Sequence, residues 1–345
     1  MASGRTSTAA PAAGKPATIY DVARRAGVSP ATVSRAMRDT APVAVDTRRR
    51  VAEAMTELRF VPSRLGVSLA EGRHAANGIV FPDLAGPYFA EVVLGYEEQA
   101  GELDRSVIIL STHGRAAPRA KVLDLAGRVD GLVVLGRAVG DDVVGEVIAS
   151  GLPVVTLARP PISGADAVSA DNQHSATALG RHLAAHGYTR VVLLGDPQDS
   201  PDVAHRWAGV RAALVDAEPP AAVVEEVRSN GFDVAAGHRA AAAVFASGSS
   251  RPVAVVCAND EIALGALEAA EDAALAVPDQ VAITGWDDIM AARWAGLTTV
   301  CQPMRELGAL AARMLDDRIG RAGAGDRREL LPTELVLRTS CGHHS

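Results

Sequence analysis

Aromatic residues and cysteines are both scarce in this sequence of 345 residues. Phe, Trp and Tyr together make up 3% of the chain, whereas hydrophobic residues make up 48%. A core must therefore be built mainly from Ala, Val and Leu. The three cysteines, Cys257, Cys301 and Cys341, are widely spaced and odd in number. That pattern excludes a disulfide framework and a paired-cysteine zinc site, and is typical of a reducing cytoplasm.

Long apolar runs are also missing. No hydrophobic stretch reaches the length needed to cross a bilayer, so we predict no association with membranes. The first 16 residues are rich in Ser, Thr, Ala, Pro and Gly and lack the apolar stretch of a secretory signal. We expect a disordered tail over residues 1–16 and a cytoplasmic protein. The chain is longer than one average domain and allows two or three.

Motifs for catalysis and for cofactors are absent as well. The sequence has no P-loop, no G-x-S-x-G turn and no glycine-rich dinucleotide fingerprint. His182 and His186 have the i, i+4 spacing of a metal-binding pair, but no Glu follows the first of them and no third ligand is near. We interpret them as surface histidines. The sequence therefore predicts no catalytic residue, no metal and no cofactor.

Charge is distributed unevenly along the chain. Residues 1–74 carry 12 Lys and Arg but only 6 Asp and Glu, which gives a net charge of +6. Because the whole chain carries −7, the remainder carries −13. A small basic segment joined to a large acidic body suits a polyanion-binding module attached to a second function. A solvated charged face is the alternative.

Two short helices with a tight turn between them are predicted near the N-terminus. Thr18 and Asp21 have the spacing of a capping box, and an apolar stripe of helical period follows them. Gly27 ends this helix, and Ser29 followed by Pro30 begins the next. This arrangement predicts a helix-turn-helix, with a third helix over about residues 46–58.

The second helix has two different faces at about 100° per residue. One face is apolar and holds Val33, Ala36 and Met37. The other is small or basic and holds Ala31, Ser34, Arg35 and Arg38. A helix in the major groove needs small residues for close approach, hydroxyls for phosphates and an Arg that reaches guanine. A surface helix with ordinary arginines would show the same periodicity.

The body beyond Asn77 alternates short β-branched runs with Ala-rich helical stretches. The runs cover residues 78–81, 106–110, 131–135, 153–157, 190–194, 252–257 and 281–284. This alternation predicts parallel sheets built from βαβ units. The strands are too many for one sheet, and the pattern restarts near Ala167. We therefore predict two doubly wound lobes, with a ligand cleft beyond the carboxyl ends of their strands.

Several runs of residues also carry a family resemblance. In the head they are Thr18-Ile19-Tyr20-Asp21-Val22-Ala23, Ala26-Gly27-Val28-Ser29-Pro30-Ala31-Thr32-Val33-Ser34-Arg35 and Phe60-Val61-Pro62-Ser63-Arg64. In the body they include Tyr88-Phe89-Ala90-Glu91, Arg206-Trp207-Ala208-Gly209, Ala258-Asn259-Asp260 and Gly285-Trp286-Asp287-Asp288. The chain resembles the LacI/GalR family of bacterial transcription regulators over about residues 18–339. The resemblance implies a small all-α helix-turn-helix head and an α/β core like a periplasmic sugar-binding protein.

The same resemblance suggests where the domains begin and end. It implies a helix-turn-helix over 17–62, a hinge over 63–76 and an effector-binding and dimerisation core over 77–340. Within the core, the chain crosses three times between an N-subdomain (about 77–166 and 302–328) and a C-subdomain (about 167–301 and 329–340). Residues 341–345 are expected to form a tail.

Residues for DNA contact follow from the resemblance position by position. Three fall where the family reads bases: Pro30, Ala31 and Arg35. Five fall where it contacts phosphates: Thr18, Tyr20, Ser29, Thr32 and Ser34. Arg64 to Ala70 fall on a hinge helix that forms on the operator, with Leu69 wedged into the minor groove. Ala44 stands where the family usually has a Ser that caps the third helix.

Effector contacts are implied in the same way. Arg206 matches an arginine that binds polar groups of the ligand, and Asp287 a carboxylate that accepts bonds from ligand hydroxyl or N–H groups. Further contacts are implied for Tyr88, Phe89, Phe232 and Asn259. Together they form a cage of charged donor, charged acceptor and apolar planes for a sugar or related metabolite. Ala158 stands where many relatives have an Asp, so a specific sugar is left open.

The sequence thus favours a transcriptional repressor that binds a pseudo-palindromic operator as a homodimer and responds to a small molecule. The chain ends without a heptad helix, which indicates dimers and not tetramers. Release of DNA and tightening on DNA are both compatible with the sequence. Two alternatives are a binding protein of the same core fold without a regulatory role, and an enzyme with Asp287 and Asp288 as acid and base.

Overall fold

The computed structural model describes residues 17–38, 43–61, 74–217, 223–247, 252–321 and 325–342. The chain forms two compact units, residues 1–74 and residues 75–345. The predicted tail over 1–16 lies outside the described residues, and so do most of the predicted hinge and its residues Arg64, Leu69 and Ala70.

The first unit is a small bundle of three helices, α1 (Ile19–Ala26), α2 (Pro30–Arg38) and α3 (Val45–Glu57). The backbone N–H and the hydroxyl of Thr18 donate to the Asp21 carboxylate at 3.0 and 2.7 Å. Gly27 ends α1 in the left-handed conformation, with φ of 66°. Ala44 begins α3 without a side-chain cap. The core of this unit consists of Val22, Ala23, Ala26, Val33, Val51 and Ala54.

The second unit alternates strands and helices along the chain. Its first part contains β1 (Ala76–Phe81), α4 (Pro87–Glu102), β2 (Ser106–Ser111), α5 (Pro118–Ala126), β3 (Gly131–Leu135), α6 (Asp141–Ala149), β4 (Val154–Leu157) and β5 (Asp166–Ala170). Its middle part contains α7 (Asn172–Ala185), β6 (Arg190–Leu194), α8 (Pro201–Val215), β7 (Val223–Val227), α9 (Val234–Ala246), β8 (Val253–Cys257), α10 (Asp260–Asp272) and β9 (Val281–Thr284). Its last part contains α11 (Met290–Trp294), β10 (Thr299–Cys301), α12 (Met304–Gly320), β11 (Arg328–Leu331), β12 (Glu334–Val336) and a 3₁₀ helix (Thr339–Cys341).

Most of these strands form two parallel sheets, one in each lobe, while β10 and β12 pair with each other antiparallel. The first sheet has the order β11-β5-β4-β3-β1-β2, and the second has the order β7-β6-β8-β9. Side chains alternate along β1, with Ile79 and Phe81 in one apolar layer and Ala76 and Val80 in another. Both faces of the first sheet are therefore covered, which confirms the doubly wound architecture expected from the sequence.

The chain passes from one lobe to the other at different residues from those expected. Because β5 pairs with β4 and with β11, both strands belong to the first sheet. The chain therefore enters the second lobe after Ala170 and returns to it after Leu331, later than the expected changes at 166/167 and 328/329. Each change follows the end of a strand, and the βα alternation used in the prediction does not show to which sheet a strand belongs.

The chain end also differs from the expectation. The sequence assigns Cys341 to a tail, but its side chain is fully buried in the core of the second lobe. Its Sγ lies 3.3 Å from His182 Nε2 and 3.0 Å from Thr298 Oγ1. The histidine of the proposed surface pair thus contacts the chain end. Within the described ranges, no cluster of three or more His, Cys, Asp or Glu could hold a metal ion, and no helix is long and apolar enough to span a membrane.

Helices α4 and α12 pack at very close range through glycines. A Cβ built on Gly95 of α4 would lie 1.8 Å from the carbonyl oxygen of Arg305. A Cβ on Gly308 of α12 would lie 2.1 Å from the carbonyl oxygen of Val92. Since real Cβ atoms do not come so close to backbone, these contacts require glycine on both helices.

We expect Gly95→Ala to lower the free energy of unfolding by about 1–3 kcal/mol, because the added methyl group must push two helix backbones apart. The control is Gly145→Ala in α6, where a Cβ meets nothing within 4 Å. Its better helix propensity should leave stability unchanged or raise it by up to about 1 kcal/mol. Denaturant unfolding measures both, and equal stability of the two variants would contradict this packing.

Candidate functional site

The outer face of α2 carries the residues expected to contact DNA. Ala31 and Arg35 are exposed, whereas Val33 on the opposite face is fully buried. Ser29 Oγ accepts the backbone N–H of Thr32 at 3.1 Å and so caps the helix. Arg38 is the last residue of α2. The structure therefore gives the helix the two faces that its periodicity predicts.

Arginines of the head differ in what they contact. Arg25 forms an ion pair with Glu57 at 2.7 Å, and Arg49 forms one with Asp46 at 2.6 Å. Arg35, in contrast, makes no ion pair with any residue in the described part of the head, and its Nε donates to the Ala31 carbonyl at 3.3 Å. Its charge is thus available to an external anion or base. Tyr20 is also presented outward, with 67% of its surface exposed.

The second candidate site lies in the core unit and is centred on Arg206 of α8. Only 7% of this side chain is exposed. Its Nε donates to Asn172 Oδ1 at 2.9 Å, and its Nη1 donates to the Ala258 carbonyl at 2.6 Å. The guanidinium carbon lies 4.6 Å from the centre of a Trp286 ring. A buried charge is stable only with such partners, so these contacts hold Arg206 in one orientation.

Asp287 lies just beyond β9, on a strained turn. Its φ of 116° is unusual for a residue with a side chain. Its N–H donates to the Val300 carbonyl at 2.8 Å, and its carboxylate accepts a bond from Gln302 Nε2 at 2.5 Å. Burial raises the pKa of Asp287 to about 7, against the lowering effects of Arg206 and Gln302. The carboxylates of Glu261 and Asp202 add to the increase.

Asp202 is a buried carboxylate that the sequence reasoning missed. It lies one helical turn before Arg206 on α8, and 7% of it is exposed. Burial raises its pKa, while Arg206, His205 and a bond from Asn172 act in the opposite direction. The i, i+4 spacing with Arg206 is a signal that could have revealed it. Asn172 and Gln302 were also missed, and they come from distant elements that offer no local signal.

Tyr88 reaches this group from the first lobe. Burial raises the pKa of Tyr88, the carboxylates of Asp202 and Asp287 raise it further, and Arg206 opposes them. The phenol therefore lies close enough to Asp202, Asp287 and Arg206 for their charges to act on it. Phe89 packs edge to face on Phe81 and on Tyr88, with ring centres 5.9 and 5.3 Å apart. Phe89 thus supports Tyr88 within its own lobe.

Asn259 and Phe232 are brought together at the start of α10. Asn259 Oδ1 accepts the N–H of Ile262 at 2.9 Å, and its Nδ2 donates to the Phe232 carbonyl at 2.9 Å. Both ends of the Asn259 amide are thus engaged within the protein. The structure gives Asn259 a role in fixing the loop that carries Phe232, which was not expected from the sequence.

Space between the lobes adjoins these residues. A cavity of ≈ 530 Å³ is lined by Pro87 and Glu91 of the first lobe, by residues 288–290 of the second, and by residues 302–306 where the chain crosses between them. Gln302 lines this cavity and also binds Asp287. The volume is within the range of small-molecule sites.

Asp288 does not share the surroundings of Asp287. Its carboxylate accepts a bond from Arg338 Nη2 at 2.6 Å, whereas Asp287 binds Gln302. The two neighbouring carboxylates therefore have separate partners. An acid and base pair acting on one substrate atom would need to share a site, so this arrangement does not favour the enzyme alternative.

We expect Asp287→Asn to stabilise the protein clearly more at pH 8 than at pH 5. An unfolded Asp has a pKa near 3.9, so the raised pKa means that folding takes up a proton between about pH 4 and 7, and stability falls as pH rises through that window. Asn cannot ionise, and the gain at pH 8 should be about 2–4 kcal/mol.

Thermal unfolding at the two pH values measures this effect. Asp142→Asn, at an exposed position in the first turn of α6, is the matched control and should change stability equally at both. A pH-independent effect of Asp287→Asn would show that the carboxylate is already ionised at pH 5.

The chain is similar to known proteins in both of its units. Residues 18–63 match the family of bacterial regulatory proteins of the lacI type, and residues 181–341 match a periplasmic binding protein-like domain. The HTH-type transcriptional regulator DegA of Bacillus subtilis (strain 168) is 30% identical over 338 residues, 94% of this chain and 97% of that protein. The HTH-type transcriptional repressor PurR of Proteus mirabilis (strain HI4320) is 32% identical over 311 residues, 88% and 90% of the two chains.

A solved structure with the same fold is the lac repressor dimer bound to operator and the anti-inducer ONPF. It superposes with a TM-score of 0.83 at 28% identity and covers 95% of this chain and 100% of that one. The family and fold expected from the sequence are thereby confirmed. The chain belongs to the lacI family of bacterial regulatory proteins and is a DNA-binding transcription regulator with an effector-binding core.

Proposed function

We propose that this regulator is a repressor that binds a pseudo-palindromic operator as a homodimer and is controlled by a small molecule held between the lobes of its core. One observation carries the proposal. Helix α2 presents an exposed face of small residues and an arginine, and the second unit contains a cleft with buried charged side chains. A transporter component or an enzyme does not require a DNA-recognising head beside its ligand-binding core. Such a protein would act in the cytoplasm, where operator DNA is present.

On the DNA side, Arg35 is proposed to bind a guanine edge in the major groove, next to Pro30 and Ala31. Contacts to phosphates are assigned to Thr18, Tyr20, Ser29, Thr32, Ser34 and Arg38. The segment from Arg64 to Ala70 is proposed to form the hinge helix, with Leu69 in the minor groove. The exposed positions of Tyr20 and Arg35 support these assignments.

On the ligand side, Arg206 and Asp287 are proposed to bind polar groups of the effector. Tyr88 and Phe232 would supply apolar planes, while Phe89 and Asn259 hold them in place. Ligand between the lobes would favour one lobe angle and so change the affinity of the heads for operator. Coupling of this kind is usually about 1–3 kcal/mol and must be reciprocal, so operator must change ligand affinity by the same factor.

The direct test is binding of the full chain to genomic DNA fragments at several salt concentrations. If Arg and Lys contacts to phosphates drive binding, log K falls linearly with log salt concentration. A fragment bound at low salt, and lost steeply as salt rises, is the expected result. Absence of binding to any fragment would overturn the proposal and leave a small-molecule binding protein without a regulatory role.

We expect Arg35→Ala to lose about 1–3 kcal/mol of discrimination at one base pair of the operator half-site. The reason is that the guanidinium makes no ion pair with any described residue and is presented on the outer face of α2. Fluorescence anisotropy on a set of single-substitution operators measures the loss. Arg49→Ala, whose guanidinium binds Asp46 on α3, should leave the pattern of base preference intact. Unchanged base preference in Arg35→Ala would refute its role in reading.

Dimerisation is proposed to involve α11 of the second lobe. Met290 and Trp294 on this helix are 79% and 83% exposed, although both are large apolar side chains. Burial of such residues is what stabilises an association between subunits. The same residues would otherwise form an apolar patch in water.

We therefore expect Trp294→Ala to raise the dissociation constant of the dimer by about tenfold or more, in line with the cost of removing an aromatic anchor. Sedimentation velocity over a concentration series measures it. Val215→Ala, which removes a 69%-exposed side chain at the end of α8, is the control. A monomer in the wild type, or an unaffected dimer in Trp294→Ala, would rule out this interface.

A further inference from the structure

The proposed effector cleft holds more acidic groups than basic ones. Asp202 and Asp287 are buried carboxylates, and Glu261 is half-buried on the same lobe. Glu261 faces the first lobe, since a Cβ on Gly86 would lie 2.4 Å from its Oε2. Arg206 is the cation beside them. Arg206 lowers the pKa of both Asp202 and Asp287, so two buried carboxylates share one guanidinium.

Other arginines near the cleft do not correct this imbalance. Arg159, just beyond β4, donates to the Asp141 carboxylate and to the Val139 carbonyl. Arg305 lies beside the cavity but pairs with Glu91 and Glu98, at 3.2 and 3.6 Å. Each of these charges is already matched by a carboxylate of its own lobe or helix pair. Besides Arg206, the only basic group among the described residues that favours the charged form of Asp202 is the exposed imidazole of His205, so carboxylates outnumber cations around Asp202, Asp287 and Glu261.

The charge of Arg206 is itself largely used within the protein. Its Nε and Nη1 bind Asn172 and Ala258, and its plane lies over Trp286. It can offset one of the two buried carboxylates but not both. Desolvation raises the pKa of both Asp202 and Asp287, and the opposing effect of Arg206 does not remove the cost of keeping both charged. A ligand that brings a positive charge would remove this cost.

An unused hydrogen-bond acceptor in the cleft also favours a ligand that carries donor groups. Gln302 is 3% exposed, and its Oε1 is buried with no partner among the described residues. Its Nε2 is occupied by Asp287, so the free oxygen lies beside that carboxylate. An ammonium has three donors and no acceptor, which matches an acceptor-rich wall. The nearby phenol of Tyr88 offers a π face of the kind that attracts cations.

We propose that the effector is a hydroxylated amine, such as an amino sugar, whose ammonium lies against Asp202 and Asp287, and that anionic effectors are excluded. The inference rests on the proposed function, since it takes this cleft as the effector site. Asp202 is the residue that decides selectivity. With Asp287 and Arg206 alone the charges would cancel, and a neutral sugar would suffice.

A matched panel of ligands tests the charge of the effector. The panel contains glucosamine, galactosamine and mannosamine, their neutral parent hexoses, their N-acetyl forms and the 6-phosphates of the parents. Thermal unfolding of the full chain at pH 7 with each compound gives the shift in midpoint and hence relative affinity. At least one amine should raise the midpoint, and its parent, acetylated and phosphorylated forms should bind at least tenfold more weakly.

Asp202→Asn tests the residue itself. This substitution keeps the shape of the side chain and should weaken binding of the amine at least tenfold, without weakening the neutral parent. Asp142→Asn on the exposed surface is the control and should leave the whole panel unchanged. Equal binding of the amine by Asp202→Asn and wild type would overturn the role of Asp202.

The remaining outcomes separate this inference from the proposed function. Tighter binding of a neutral hexose or a phosphate would overturn the charge assignment and leave the cleft as the effector site. No shift with any of the amines would also overturn it. Operator binding by the full chain, measured separately by anisotropy, decides whether the protein is a regulator at all.

Discussion

The buried guanidinium of Arg206 is the contact on which the ligand cleft depends. It joins Asn172 at the start of α7, the carbonyl of Ala258 beyond β8, and Trp286 beyond β9. Ala258 and Trp286 follow adjacent strands of the second lobe, whereas Asn172 follows β5 of the first sheet, and all three lie beyond the carboxyl ends of parallel strands. Loss of the guanidinium would leave an uncompensated carboxylate and an unpaired carbonyl together, so stability and ligand binding are tied to one side chain.

A second buried charge shapes the loop that carries Asp287. Asp260 has no exposed surface and accepts bonds from the Ile289 N–H at 2.9 Å and the Thr299 hydroxyl at 2.6 Å. Gly285 must lack a side chain, because a Cβ would lie 2.1 Å from Asp260 Oδ1. The loop between them is held in positive φ at Asp287 and Asp288. Strain at these positions is therefore maintained by a buried carboxylate whose hydrogen bonds go to Ile289 and Thr299.

Local signals made much of this architecture predictable. Capping residues, the left-handed Gly27 and apolar periodicity gave the head, and β-branched runs gave the central strands, because each signal acts within a few residues. Membership of β5 and β11 in the first sheet depends on pairing between segments far apart in the chain. The same holds for Gln302, whose role appears only when it meets Asp287, and for Cys341, buried by contact with His182 and Thr298. Asp202 was within reach, since its spacing from Arg206 is local.

Gln302 provides a route by which ligand binding in the second lobe affects the position of the first. It lies on the crossover that leads directly into α12, and α12 packs against α4 through Gly95 and Gly308. Helix α4 begins next to Tyr88, on the opposite wall of the cleft. The bond between Gln302 and Asp287 therefore links both walls. A ligand that competes for Asp287 must exchange this bond for its own contacts, and the free-energy difference between the two arrangements is what can shift the lobe angle.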